Sequence, residues 1–133
     1  MNFIKKEKTA LYKNFLSTGY LNDRQLNSFI ASSDIFVNLR YPSFGESSGV
    51  LARALNTRTC CVVSDYGGFS YLDSEIVVKV GPDFTSFKDK LDLLIHSESL
   101  RTNISLKARK ITSKSMNIQL YCEKLKSIIE QYS

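Results

Sequence analysis

Between Arg40 and Leu51 the chain reads RYPSFGESSGVL, and one acid, Glu46, stands in the tightest part of a turn just ahead of a helix pattern. A carboxylate in that place has two uses. It can stabilise the positive end of the helix dipole, or it can accept hydrogen bonds from the hydroxyls of a sugar. If the helix begins near Ser47 or Ser48, the backbone N–H groups of Ser48, Gly49 and Val50 point into the space beyond it. Such helix mouths carry about half a positive charge and hold anions, phosphate above all. Gly45 and Gly49 would let a bulky ligand come close to the backbone. A second run, SDYGG from Ser64 to Gly68, is by itself only a turn signal. It gains meaning if the fold sets it beside the first.

The elements around these turns suggest that it does. FLSTGY (Phe15 to Tyr20), DIFVNL (Asp34 to Leu39), TCCVVS (Thr59 to Ser64) and IVVKV (Ile76 to Val80) read as strands. Asn22 with Gln25 forms a capping-box pattern opening a helix that runs to Ser33, with Leu26, Phe29 and Ile30 on one face. VLARALN has helical spacing. Gly81, Pro82 and Asp83 break the fourth strand and cap a helix with a core face of Phe84, Phe87, Leu91, Leu94 and Ile95. Helices follow from about Leu100 to Ser113 and from Ile118 to Tyr132, the latter with a stripe of Ile118, Cys122, Leu125, Ile129 and Tyr132. Alternating strands and helices predict an α/β fold, a doubly wound parallel sheet with helices on both faces and a helical C-terminal tail. In such sheets ligands bind beyond the carboxyl ends of the strands, which is where the Arg40–Ser48 and Asp65–Phe69 turns would lie.

Composition narrows the class. The chain has 133 residues and a formal charge of +5, with its basic excess at the two ends. Residues 1–14 form a basic N-terminal segment, and 15–133 form one domain. No interleaved aromatics, finger or helix-turn-helix signature accompanies the basic residues, so nucleic acid is not an expected partner. A basic face meeting anionic lipid headgroups stays open. With no apolar run of spanning length and no signal-peptide centre at the start, a cytoplasmic location is expected. Cys60, Cys61 and Cys122 are expected to be buried, reduced thiols, and a single His96 with no CxxC offers no metal-ligand spacing.

From Gly19 to Val80 the order of these features resembles the carboxyl-terminal, donor-binding half of the GT-B-fold, family-4-type nucleotide-sugar glycosyltransferases. The resemblance lies in Gly-x-Leu, a helix ending in Ala-x-x-Asp, a strand, an acid–glycine loop, a short helix, an apolar strand and Ser-Asp-x-Gly-Gly. It implies a Rossmann-like GT-B half-domain that binds a UDP- or GDP-hexose as co-substrate. It also implies retaining, metal-independent transfer of the hexose to a glycan or lipid-linked acceptor. By the same resemblance Glu46 meets the donor sugar as the catalytic-site acid, and the Ser47, Ser48 and Gly49 backbone meets the diphosphate. Arg40, Gly45, Arg53, Gly67 and Gly68 complete the implied donor-binding set.

The chain also departs from that pattern. Arg53 stands near the place of the family's second glutamate, to face phosphate or to pair with an acid, and Tyr71 replaces an acid after Gly-Gly. The acceptor half and the basic residues that grip the diphosphate are not visible. The chain then reads as a donor half, inactive without an acceptor-binding domain that a partner chain would supply, or as a homo-oligomer. Its place would be the cytoplasm, peripherally at the inner membrane face. The alternative is a non-catalytic, truncated or degenerate interaction module.

Overall fold

The computed structural model describes residues 14–115 and 118–132. The predicted basic segment falls almost wholly outside these residues. Three parallel strands, β1 (Ile35–Asn38), β2 (Cys60–Ser64) and β3 (Val78–Val80), lie in the order β1-β2-β3. Ile35 pairs with Cys60 at one end of the sheet and Ser64 with Val80 at the other. The helices are α1 (Asp23–Ala31), α2 (Gly49–Asn56), α3 (Phe87–His96), α4 (Glu98–Ser115) and α5 (Ile118–Gln131), with a 3-10 turn at Gly67–Phe69 between β2 and β3. The fold is therefore α/β with a small parallel sheet. Strand order runs in one direction among the described residues, without the reversal that defines double winding.

β2 is buried along its whole length, as its unbroken apolar run predicts for a central parallel strand. Its side chains alternate between two cores. Cys61 and Val63 join Ile30, Leu51, Leu55, Phe69 and Ala108, while Cys60 and Val62 join Val80 and Leu94. Helix α4 serves both, setting Ala108 in the first core and Leu100 and Ile104 against the second. Two buried hydroxyls fasten the layers. Thr59 Oγ1 donates to Ile30 O at 2.8 Å, and Thr112 Oγ1 donates to Leu55 O at 3.2 Å.

Several expectations are corrected. Phe15 to Tyr20 forms no strand: Gly19 takes a φ of +66°, which kinks the segment, and Phe15, Leu16 and Tyr20 are exposed. The capping box at the start of α1 is present, with Gln25 N donating to Asn22 Oδ1 at 2.9 Å and Asn22 N to Gln25 Oε1 at 3.1 Å. Phe84 precedes α3 instead of lying on its core face, because it closes a turn onto Gly81 O at 3.0 Å with a φ of +56°. Ile95 is exposed and Leu94 takes the buried place. Cys60 and Cys61 are buried free thiols, but Cys122 is exposed on α5.

Candidate functional site

The two glycine-bearing turns leave the carboxyl ends of β1 and β2, which are neighbours in the sheet, so they meet. Their contact is backbone against backbone. Gly67 has a φ of +58°, and a Cβ there would lie 2.6 Å from Ser43 Oγ. A Cβ on Gly68 would lie 3.1 Å from Gly45 O. These glycines are required by the packing of one turn on the other. Side chains tie the same seam. The Tyr41 and Tyr66 rings pack at 5.3 Å and 58°, and the Arg40 guanidinium sits 5.9 Å above the Phe69 ring. Arg40 N donates to Ser64 Oγ at 3.1 Å, and Ser64 Oγ donates to Arg40 O at 3.0 Å.

Glu46 turns its carboxylate back into its own loop. Oε2 accepts from Phe44 N at 2.8 Å and Ser43 Oγ at 3.4 Å, and Oε1 accepts from Arg40 Nη1 at 3.2 Å. The backbone N–H groups of Glu46 itself and of Phe44 hold this carboxyl below the ordinary glutamate value, and Arg40 and Ser43 lower it further. The acid is thus a folding element of the loop. Oε1 keeps lone-pair capacity beyond the one bond to Arg40.

Helix α2 starts at Gly49, two residues after the earliest expectation. Ser48 is its N-cap, accepting from Leu51 N at 3.2 Å and from Asn38 Nδ2 at 3.1 Å. The N–H groups of Gly49 and Val50 have no acceptor among the described residues. Around Gly49 the space is open: an added Cβ meets nothing within 4 Å, and the same holds at Gly45, where φ is +91°. A hollow of about 140 Å³, lined by Ser47, Leu51, Gly68, Phe69 and Leu72 among others, lies between the start of α2 and the glycine turn. Binding pockets for drug-sized ligands run to roughly 300–1,000 Å³, so this edge is a shelf with one wall.

The structure therefore brings together Arg40, Gly45, Glu46, Ser47, Ser48, Gly49, Gly67 and Gly68, and separates Arg53 from them. Arg53 Nη1 turns to α1, 2.9 Å from Asp23 Oδ1 and 3.4 Å from Asn27 Oδ1, which is the acid-pairing alternative. Compared with protein-family models, curated proteins and solved structures, the chain finds no match.

The site also includes residues that sequence reasoning passed over. Lys79 on β3 donates from Nζ to Ser70 O at 2.6 Å and lies 3.6 Å from Asp65, so it pins the turn that carries Gly67 and Gly68. A lysine interrupting the apolar run IVVKV was the available signal. Ser43 and the Tyr41–Tyr66 pair left no signal, because their role is set by a neighbour far away in sequence. Among the described residues no group of His, Cys, Asp and Glu is arranged to hold a metal ion, and no helix is long and apolar enough to cross a membrane.

Proposed function

We propose that this chain is the donor-binding half of a GT-B-type, nucleotide-sugar-dependent glycosyltransferase, its sheet a compact form of the doubly wound Rossmann-like half-domain. The observation that carries the reading is Gly49. Glycine is a poorer helix former than alanine, yet nothing among the described residues requires it here: φ is not positive and a Cβ would meet nothing within 4 Å. A ligand pressed against the helix mouth supplies the missing reason. A diphosphate there would accept from the Gly49 and Val50 N–H groups, with the helix dipole offsetting its charge. The Arg40 guanidinium, with more than a third of its side chain exposed, stands on the same edge to add a cation. Glu46, held open-handed by Arg40, Ser43 and Phe44, offers Oε1 to a hexose hydroxyl. Transfer with retention, without a metal, would take place against an acceptor-binding half that closes the one-walled shelf.

Titration calorimetry with UDP- and GDP-hexoses tests this. Binding at or below millimolar concentration is expected, with Gly49→Ala raising the unfolding midpoint while weakening the nucleotide sugar, and Gly49→Val weakening it more. A chain that binds neither sugar nucleotide, or whose affinity ignores Gly49 and Glu46→Ala, overturns the reading. A second reading, a non-catalytic interaction module, is favoured by two observations. Glu46 already accepts three hydrogen bonds in holding its own loop, and Tyr71, in place of an acid, is almost wholly exposed.

A further inference from the structure

Helix α5 is the one helix with no buried residue among those described. Its apolar side chains nevertheless form a seam. Tyr121, Leu125, Ile128 and, just past the last helical residue, Tyr132 follow the alternating four- and three-residue spacing of a helix that packs against another helix, and Ile129 widens one flank. Their exposure is 63% at Tyr121, 45% at Leu125, 52% at Ile128, 58% at Ile129 and 88% at Tyr132. Isolated exposed apolar residues need no explanation, but a continuous stripe does.

We propose that the seam is covered by α5 of a second copy of this chain, running antiparallel. Charge selects this occupant. Two glutamates, Glu123 and Glu130, and two lysines, Lys124 and Lys126, make α5 neutral in a chain of net charge +5. A helix built to lie on anionic lipid or a polyanion carries its lysines on the polar face without acids among them. That character belongs to α4, where five basic residues face one acid. In an antiparallel pair Leu125 stacks on Ile128 of the second copy and Tyr121 on Tyr132 of the second copy. Lys124 then lies near Gln131 of the second copy, so no like charges meet across the seam. The outward Lys126–Glu130 pair, at 3.8 Å, stays in water. Opposed helix dipoles favour the same orientation. Size is compatible as well: if the exposed parts of these side chains, roughly 500 Å² per copy, were all covered, a pair would bury at most about 1,000 Å², the lower bound of a specific interface.

Sedimentation equilibrium on the whole chain tests the proposal, independently of any sugar nucleotide. The expected result is a reversible dimer at micromolar concentrations. Leu125→Glu and Ile128→Lys should each raise its dissociation constant at least ~100-fold by setting unpaired charges in the seam. Both positions are exposed in the single chain, so unchanged circular dichroism is expected to show that folding survives. Mixing the two variants should restore a heterodimer, because the antiparallel register sets residue 125 against residue 128. A monomer at hundreds of micromolar, a dimer indifferent to both substitutions, or a mixture without rescue overturns it. So does a monomer that associates only with anionic vesicles or only with a different protein.

Discussion

The turn after β1 and the helix α5 treat their reactive surface in opposite ways. In the turn the polar groups have found partners within the chain: Glu46 is held by Arg40, Ser43 and the Phe44 N–H, Arg40 bonds Ser64 of β2, and Ser43 lies close against Gly67 of the next turn, while the Phe44 ring stays exposed. In α5 the described apolar side chains are exposed and none is buried. A polar loop at a sheet edge can satisfy itself over a few residues, since hydrogen bonds are short and directional. An apolar stripe cannot. Burial needs area, and area has to come from another surface. The polar groups of the first region are satisfied at short range, while the apolar groups of the second stay exposed.

Thiol chemistry should separate the two kinds of region most sharply. Burial pushes the Cys60 thiol up to about 11 and the Cys61 thiol up to about 12, whereas Cys122 is exposed on α5. Labelling at pH 8 should modify Cys122 rapidly and the other two on the order of a thousandfold more slowly, since they react only after the core opens. Mass spectrometry of timed samples reads this directly. Equal labelling of all three would show that the sheet core is not closed.

Next in size is the seam between the turns. Gly67→Val meets both the left-handed φ and the Ser43 side chain, so it should cost about 3 kcal/mol in urea denaturation. Leu55→Ala, in the first core, should fall in the same range of roughly 2–5 kcal/mol. By contrast Leu125→Ala should change the stability of the single chain by less than about 0.5 kcal/mol. If Leu125→Ala proved as damaging as Leu55→Ala, α5 would be covered within its own chain.

A gentler probe is the titration of Glu46. Its folded value lies below the unfolded one, so its ionisation favours the fold above the ordinary glutamate range and that support is lost as pH falls through the lowered value. Carboxyl NMR should show Glu46 titrating below the ordinary glutamate value, and Arg40→Ala should move it upward. An unshifted Glu46 would mean that the loop hydrogen bonds do not persist in solution. The smallest effect is expected at Arg53. Its ion pair with Asp23 is largely exposed, so Arg53→Ala should cost under about 1 kcal/mol and leave nucleotide-sugar affinity unchanged. A large loss of affinity would return Arg53 to the donor site.

Legibility in the sequence followed the range of the interactions. The capping box at Asn22 and Gln25, the buried character of TCCVVS and the helical spans from residue 98 onward were readable, because each depends on residues a few positions apart. The adjacency of the two turns was readable from element order, since parallel strands send both carboxyl ends to one edge. The direction of the Glu46 carboxylate was not. In sequence terms an acid at a helix mouth serves a ligand, a dipole or its own loop equally well, and only the positions of Arg40, Ser43 and Phe44 choose among them. Phe15 to Tyr20 misled for a related reason: β-propensity describes fitness for a sheet surface, and a segment with no strand beside it has none to fit.

By itself, then, the sequence determined where α1 begins and which strand is buried on both sides, and it brought two glycine turns to one edge. Those features arise from periodicity, capping and turn chemistry, which act over a few residues. Tertiary structure alone decided that Gly67 and Gly68 serve loop packing while Gly49 faces open space, and that Arg53 turns away from the site. It also decided that the stripe of α5 lies uncovered. Contact, burial and openness are properties of two surfaces at once, and the second surface comes from residues that no local pattern specifies.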